Sequence, residues 1–186
     1  MQSTNLTSHF LIAMPSLADP NFQHTVTFIC AHNDDGAMGI VINRPLDFSL
    51  NEVLSQMDLT PASAAIGQTT VYQGGPVQTD RGFILHTPDK HWESSIQISE
   101  QISVTTSRDI LEAIAHGEGP RSALITLGYA GWAAGQLEKE IADNAWLSGP
   151  AETDIIFTTA CEERWAAAAK MLGVDIQMLS SDVGHA

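Results

Sequence analysis

The chain has 186 residues, with 44% hydrophobic and 16% charged side chains, a composition typical of a single folded domain and not of a disordered chain. Its formal net charge of −14, from 22 acidic and 8 basic residues, disfavours direct binding to nucleic acid or to an anionic membrane surface. A domain of this length buries roughly two-thirds of the surface of its unfolded chain, so it needs no disulfide or structural metal to fold.

The N-terminal segment and the cysteines favour a cytoplasmic protein. Residues 1–6 contain no cation, and the first apolar run, Phe10 to Met14, is too short for the core of a signal peptide. No apolar stretch approaches the roughly 20 residues that a membrane span requires. Cys30 and Cys161 lie too far apart for a C-x-x-C pattern, and we expect both to be reduced and buried.

Short apolar and β-branched runs predict strands in the first part of the chain, at residues 9–14, 25–31 and 38–42. The last two are connected through Asp35 and Gly36, a turn signal, and this arrangement predicts a hairpin. Ser49 and Glu52 match a capping box, and the apolar residues that follow at helical spacing predict a short helix ending before Pro61.

The middle of the chain is rich in strand patterns. Strands are predicted at residues 71–73, 81–87, 96–98 and 102–104. The last two alternate with period two, as half-buried strands do. We expect one domain over residues 1–186, with a smaller strand-rich subdomain at about residues 58–106.

In the second half, helical and strand patterns alternate. Helices are predicted at residues 107–116, 132–144 and 162–172, and strands at 123–127 and 154–159. This alternation implies crossover connections onto a partly parallel sheet. The predicted fold class is therefore mixed α/β: a three-layer, sandwich-like mixed sheet with flanking helices, plus the smaller subdomain.

A glycine-rich segment, residues 128–135, is predicted to lie where a buried strand leads into a helix. Ligands bind at such junctions in α/β folds, because backbone N–H groups there point into a crevice. Its spacing is neither the dinucleotide pattern nor a P-loop. The alternative is that the small residues allow close packing, with Trp132 as a core aromatic residue.

Polar residues next to tight turns form a second group of candidates. Asn43 and Arg44 end one predicted strand, and Gly74 and Gly75 end another before Arg81. A rigid sheet positions such residues and the turn exposes them, which favours binding. The alternative is that each arginine forms a solvated ion pair with a local carboxylate, such as Asp47 or Asp80.

Metal and nucleophile patterns are weak. The seven histidines include no His-x-His and no His-Glu-x-x-His, so we expect neither a metal site nor a cofactor. Cys161 precedes a predicted helix, whose dipole could activate a thiol, but Glu162 and Glu163 would oppose that effect. There is no G-x-S-x-G element of a serine hydrolase.

Several longer motifs, in the same order along nearly the whole chain, resemble the bacterial YqgE/AlgH family. They are His9 to Pro15 with Asp19-Pro20, Gly36 to Pro45, Gly74 to Val77, Arg81 to Phe83, Leu85-His86, Leu127 to Trp132, Gly135 to Glu138, Asn144 to Leu147, Arg164-Trp165 and Gly184 to Ala186. The resemblance implies a compound α/β fold with a smaller inserted sheet. It supplies no catalytic residues, and some members carry the label of transcriptional regulator.

The leading hypothesis is a noncatalytic binding or regulatory module for a small anionic ligand or a protein partner, without membrane contact. Its crevice would be lined or supported by nine residues: Asn43, Arg44, Gly74, Gly75, Arg81, His86, Tyr129, Trp132 and Glu138. The alternative is a hydrolase of phosphorylated or carboxylated small molecules, with Arg44 and Arg81 as an anion clamp and His86 or Glu138 in proton transfer. Direct DNA binding is least favoured, because the chain lacks a helix-turn-helix signature and a basic recognition helix; any effect on transcription would be indirect.

Overall fold

A computed structural model describes residues 5–176 and 178–179. Ten strands are formed within these residues: β1 His9–Ala13, β2 Val26–Asn33, β3 Gly36–Val41, β4 Pro45–Ser49, β5 Thr70–Gln73, β6 Val77–His86, β7 Ser95–Gln97, β8 Ser103–Thr105, β9 Ala123–Ala133 and β10 Trp146–Pro150. Six α-helices accompany them: α1 Leu50–Gln56, α2 Ala64–Gly67, α3 Arg108–Ala115, α4 Gln136–Ala142, α5 Thr153–Phe157 and α6 Arg164–Met171.

The strands form one curled sheet in the order β10-β1-β2-β3-β9-β6-β8-β7. Strand β5 pairs with β9 in parallel. Strand β4 pairs with β5, and this pair and the other strand pairs of the described residues are antiparallel. The eleven-residue β9 is the central strand, because its first half pairs with β5 and β6 and its second half with β3.

Side chains alternate between the two faces of this sheet, as strand geometry requires. Phe10 and Phe28 lie on what we call the first face, where they form the largest core cluster with residues of α5 and α6. Leu11 and Ile29 point to the second face and pack with α4. Helices α1 and α3 also cover the second face, over β5, β6 and β9. Helices on both faces give three layers.

The mixed α/β class predicted from the sequence is confirmed. The hairpin of β2 and β3 and the capping box of Ser49 and Glu52 are also present. Among the described residues, no helix is long and apolar enough to span a membrane. The predicted subdomain at residues 58–106 contributes β5 to β8 to the common sheet, and its separateness stays a prediction.

Two predicted elements are wrong. The expected helix at 132–144 begins only at Gln136, because β9 continues to Ala133 to pair with β3, with Gly36 opposite Ala133. Residues 128–133 are therefore strand and not a strand-to-helix junction. The expected strand at 154–159 is instead helix α5, whose short apolar run of Ile155 to Phe157 does not distinguish helix from strand.

Candidate functional site

The first face of the sheet carries an open groove of about 710 Å³, which we call the Arg81 groove. It crosses the sheet from the β2–β3 hairpin over β9 and β6 to β8 and β7. Its lining combines aliphatic, aromatic and a few polar side chains: Cys30, Ala31, Ala37, Met38, Gln78, Arg81, Phe83, Ile96, Ile98, Val104, Thr106, Tyr129, Gly131 and Trp132. This volume is within the range of small-molecule sites in proteins.

The floor of the groove is continuous with the hydrophobic core. Phe83, Val104 and Cys30 belong to the first-face core cluster, and Tyr129 packs against it. Burial raises the pKa of the Cys30 thiol to about 12, so this thiol is neutral. Ile96 on the outer strand β7 is 65% exposed beside the groove, an unusual position for a large aliphatic side chain.

Arg81 lies at the mouth of the groove because of an irregularity between β6 and β9. Val77 is paired with Tyr129 and Gly82 with Leu127, so residues 78–81 of β6 lie opposite a single residue, Gly128. The extra residues bulge out of the pairing, and Gln78 adopts a left-handed φ of 49° there. The bulge ends at Arg81, whose side chain is exposed, and we call this exposed border of the groove its mouth.

The Arg81 guanidinium is held loosely, and it forms no ion pair with the described residues. It donates to Gln78 Oε1 at 3.4 Å and to Thr106 Oγ1 at 3.5 Å, both near the upper limit for a hydrogen bond. Its carbon lies 5.6 Å from the centroid of the Phe83 ring. No carboxylate of residues 5–176, 178 or 179 lies within ion-pair distance, so the ion pair with Asp80 that was the alternative to a binding role is not formed.

The glycines proposed for ligand binding support this region by backbone packing. A Cβ atom at Gly74 would lie 2.4 Å from the Gly128 carbonyl oxygen, and one at Gly75 would lie 2.1 Å from that of Tyr129. Gly128 itself has a φ of 80° and lies against the Gly75 and Val77 carbonyls. These close approaches hold the irregular β6–β9 pairing together and set the position of Tyr129.

Asn43 and Arg44 lie in a different place from Arg81. The Asn43 side chain accepts from the Val26 N–H and donates to the His24 carbonyl, each at 2.9 Å. Arg44 donates to the Gln23 carbonyl at 2.8 Å and forms no ion pair with the described carboxylates. With Gly75, Arg44 borders a recess of only about 20 Å³. Both side chains fasten the segment before β2, and Arg44 does not line the Arg81 groove.

His86 is fully buried between β6 and β8. Its Nδ1 lies 2.7 Å from the Thr87 carbonyl, which can only accept, so Nδ1 carries the proton. Nε2 must then accept from the Thr105 hydroxyl at 2.6 Å, and Thr105 in turn accepts from Ser95 at 2.7 Å. Burial lowers the pKa of His86, which keeps it neutral. The ring therefore joins three strands and does not line the Arg81 groove.

Trp132 and Glu138 both make contacts around helix α4, which contains Glu138. Trp132 borders the groove, but its indole packs on the second face against Phe22, with ring centroids 6.0 Å apart. Glu138 Oε1 lies 2.5 Å from His32 Nε2, whose other nitrogen accepts from the Leu6 N–H at 3.0 Å. That acceptor role fixes the His32 tautomer with its proton on Nε2, directed at the carboxylate.

Of the nine predicted site residues, the structure brings Arg81, Tyr129 and Trp132 to one groove. Gly74 and Gly75 support this region by backbone packing, whereas Asn43, Arg44, His86 and Glu138 fasten strands, loops or helices elsewhere. Sequence reasoning missed the aliphatic wall of the groove, which is formed by Met38, Ile96, Ile98 and Val104. The period-two pattern around Ile96, Ile98 and Val104 predicted strands, but it did not show that these side chains lie on the same face of the sheet.

Arg81 also borders a second cavity of about 640 Å³, on the second face between α1 and α3. Its rim carries Glu52, Asp80 and Arg108 as well, so its charges are mixed. Arg108 is paired with Glu112 at 2.8 Å. In contrast, Arg81 is the one charged side chain among the residues lining the Arg81 groove.

Metal ligands and an activated thiol find no support in the geometry. Within residues 5–176 and 178–179, no group of three or more His, Cys, Asp or Glu side chains is placed to hold a metal ion. Cys161 is only partly buried, and not buried as expected. Its pKa is still raised, mainly by this partial burial, with a smaller contribution from Glu162.

Comparisons with known proteins agree on one family. The model of the AlgH-like family, DUF179, matches residues 10–177. A UPF0301 protein of Thioalkalivibrio sulfidiphilus is 59% identical over 99% of this chain and 98% of its own. The solution structure of AlgH from Pseudomonas aeruginosa is 51% identical, covers 100% of both chains and has a TM-score of 0.80. The protein DIP2367 of Corynebacterium diphtheriae, 18% identical with a TM-score of 0.76 over 97% of this chain and 94% of its own, shares the fold.

Proposed function

The chain belongs to the AlgH-like family, and we propose that it is a noncatalytic binding module that takes a small anionic ligand into the Arg81 groove. The observation that carries this proposal is the position of Arg81. Its guanidinium lies at the mouth of an apolar groove, and no carboxylate of the described residues neutralises it. In a chain with a net charge of −14, such a cation is scarce.

The chemistry of the groove supports binding of an anion with an apolar part. Aromatic and aliphatic side chains favour an apolar body, because its transfer from water is favourable. The Arg81 fork offers directed N–H donors to an oxyanion. Tyr129 and Phe83, whose rings meet edge to face at 5.4 Å, give the groove a rigid aromatic base.

The noncatalytic part of the proposal rests on where the acid–base candidates lie. Both nitrogens of His86 are used in hydrogen bonds within the sheet, and Glu138 contacts His32. Neither residue lines the Arg81 groove. The hydrolase alternative also requires Arg44 and Arg81 to hold one substrate, and these residues border separate cavities. Any effect on transcription would then follow indirectly, through the ligand.

A thermal-shift screen of carboxylated and phosphorylated metabolites tests this function. A ligand that binds only the folded state raises its stability by mass action, by about 2.7 kcal/mol at a concentration of 100 Kd. We expect compounds with an anionic group and an apolar body to raise Tm for the wild type. The shift should be lost in Arg81→Gln and retained in Arg44→Gln, which removes the same charge outside the groove. Shifts that survive in Arg81→Gln would contradict the proposal.

A further inference from the structure

Resting on this proposed function, we infer that the Arg81 groove selects amphipathic monocarboxylates: a single carboxylate on an apolar chain or ring. The carboxylate would face Arg81 at the mouth. The apolar body would lie on the floor, at Phe83 and Tyr129, and against the aliphatic wall.

The charge of the groove fits one negative charge. Arg81 is the one cation among its lining residues, and the neighbouring polar side chains, Gln78 and Thr106, are neutral. A phosphate monoester carries a charge of about −1.5 to −2 at neutral pH and is usually bound by several donors or cations. A carboxylate is matched by a single planar guanidinium in a two-point hydrogen bond.

The hydrogen bonds that Arg81 makes are ready to be exchanged. At 3.4 and 3.5 Å they are long, and both acceptors are neutral. A carboxylate oxygen would form shorter, charge-assisted bonds of about 2.7–2.9 Å. The Phe83 ring attracts the guanidinium through its π face without occupying its N–H groups.

The aliphatic wall of the groove favours a ligand with an apolar body. Met38, Ile98 and Val104 line it together with the exposed Ile96. Covering these side chains with a ligand removes apolar surface from water on both partners. Each methylene of the ligand that becomes buried should therefore strengthen binding about fourfold.

Titration with octanoate and octyl phosphate below their micelle concentrations, and with 1-octanol below its solubility limit, tests the inference. The readout is the methyl NMR spectrum of the wild type, Arg81→Gln and Arg44→Gln, which reports on Met38, Ile96 and Ile98. We expect octanoate to shift these methyl signals and to bind at least about tenfold more tightly than 1-octanol. Arg81→Gln should abolish that difference, and Arg44→Gln should preserve it. Hexanoate should bind more weakly than octanoate.

The outcomes separate this inference from the proposed function. Octyl phosphate binding at least as tightly as octanoate, through Arg81, would overturn the monocarboxylate class while supporting an anion site. Equal binding of octanoate and 1-octanol, or no binding of any probe, would also overturn the inference. The proposed function itself fails only if the wider anion screen gives no shift that depends on Arg81.

Discussion

The guanidinium carbon of Arg81 lies 5.6 Å from the centroid of the Phe83 ring, two residues further along the same strand. Residues two apart in a strand share a face, so this contact follows from β6 regaining regular pairing at Gly82. The aromatic ring substitutes for a carboxylate as the neighbour of the cation. It occupies none of the Arg81 N–H groups, whose two side-chain hydrogen bonds, to Gln78 and Thr106, are long at 3.4 and 3.5 Å.

Gly128→Ala should destabilise the protein far more than Gly135→Ala. Both glycines have a left-handed φ, of 80° and 76°, so both variants incur a backbone cost of about 1–2 kcal/mol. Only at Gly128 would the new Cβ also lie 2.5 Å from a backbone oxygen, that of Gly75, whereas nothing lies within 4 Å at Gly135. Urea denaturation should show a loss above about 3 kcal/mol for Gly128→Ala. Equal losses would mean that the bulge can relax around a side chain.

Glu140→Ala should destabilise the protein by removing the acceptor that holds Trp132. Glu140 Oε1 accepts from the indole N–H of Trp132 at 3.1 Å and from that of Trp146 at 3.0 Å. Removing the carboxylate leaves two largely buried donors without a partner, a cost of about 2–4 kcal/mol in free energy of unfolding. Glu140→Gln keeps an acceptor oxygen and should cost less than about 1.5 kcal/mol. Chemical denaturation followed by circular dichroism compares them, and a similar loss in both would contradict this role.

The stability of the protein should fall as the pH drops below about 6.5, in part through His86. Its pKa is lowered from the usual 6.5, chiefly by burial, so the unfolded chain takes up a proton that the folded chain does not. The free energy of unfolding therefore has its full value above the pKa of His86 in the unfolded chain. It decreases as the pH falls from there towards the pKa of His86 in the folded chain, by at most about 1.4 kcal/mol per pH unit. His86→Gln, which cannot titrate, should have a flatter profile between pH 7 and 5.5. Profiles of equal slope would show that another group causes the effect.

Much of the fold could be predicted from local patterns in the sequence. The strands of the β2–β3 hairpin and the helix after Ser49 follow from side-chain periodicity and turn chemistry, which act over a few residues. Periodicity failed where pairing with distant strands decides the structure. The run from Gly128 to Ala133 is strand because β3 lies beside it, and Gly36 and Ala133 are almost a hundred positions apart.

The candidate site was predicted only in part, for a related reason. The sequence shows that Arg81 is a scarce cation near a turn, and this residue does lie at the groove. It does not show that residues 78–81 bulge opposite Gly128, because a bulge is a property of two paired strands. It also does not show which polar side chains form all of their hydrogen bonds within the fold, as His86 does with Thr87 and Thr105.

The most direct test of the Arg81 groove is a methyl NMR titration with the strongest anionic ligand from the thermal-shift screen, in the wild type, Arg81→Gln and Arg44→Gln. Arg81→Gln should itself change the free energy of unfolding by less than about 1 kcal/mol, because the side chain is exposed and forms no ion pair with the described residues. Saturable shifts of the Met38, Ile96 and Ile98 methyl signals, present in the wild type and Arg44→Gln and lost in Arg81→Gln, are the predicted result. Shifts that centre on Val53 and Met57 in the second cavity, or that persist in Arg81→Gln, would contradict it.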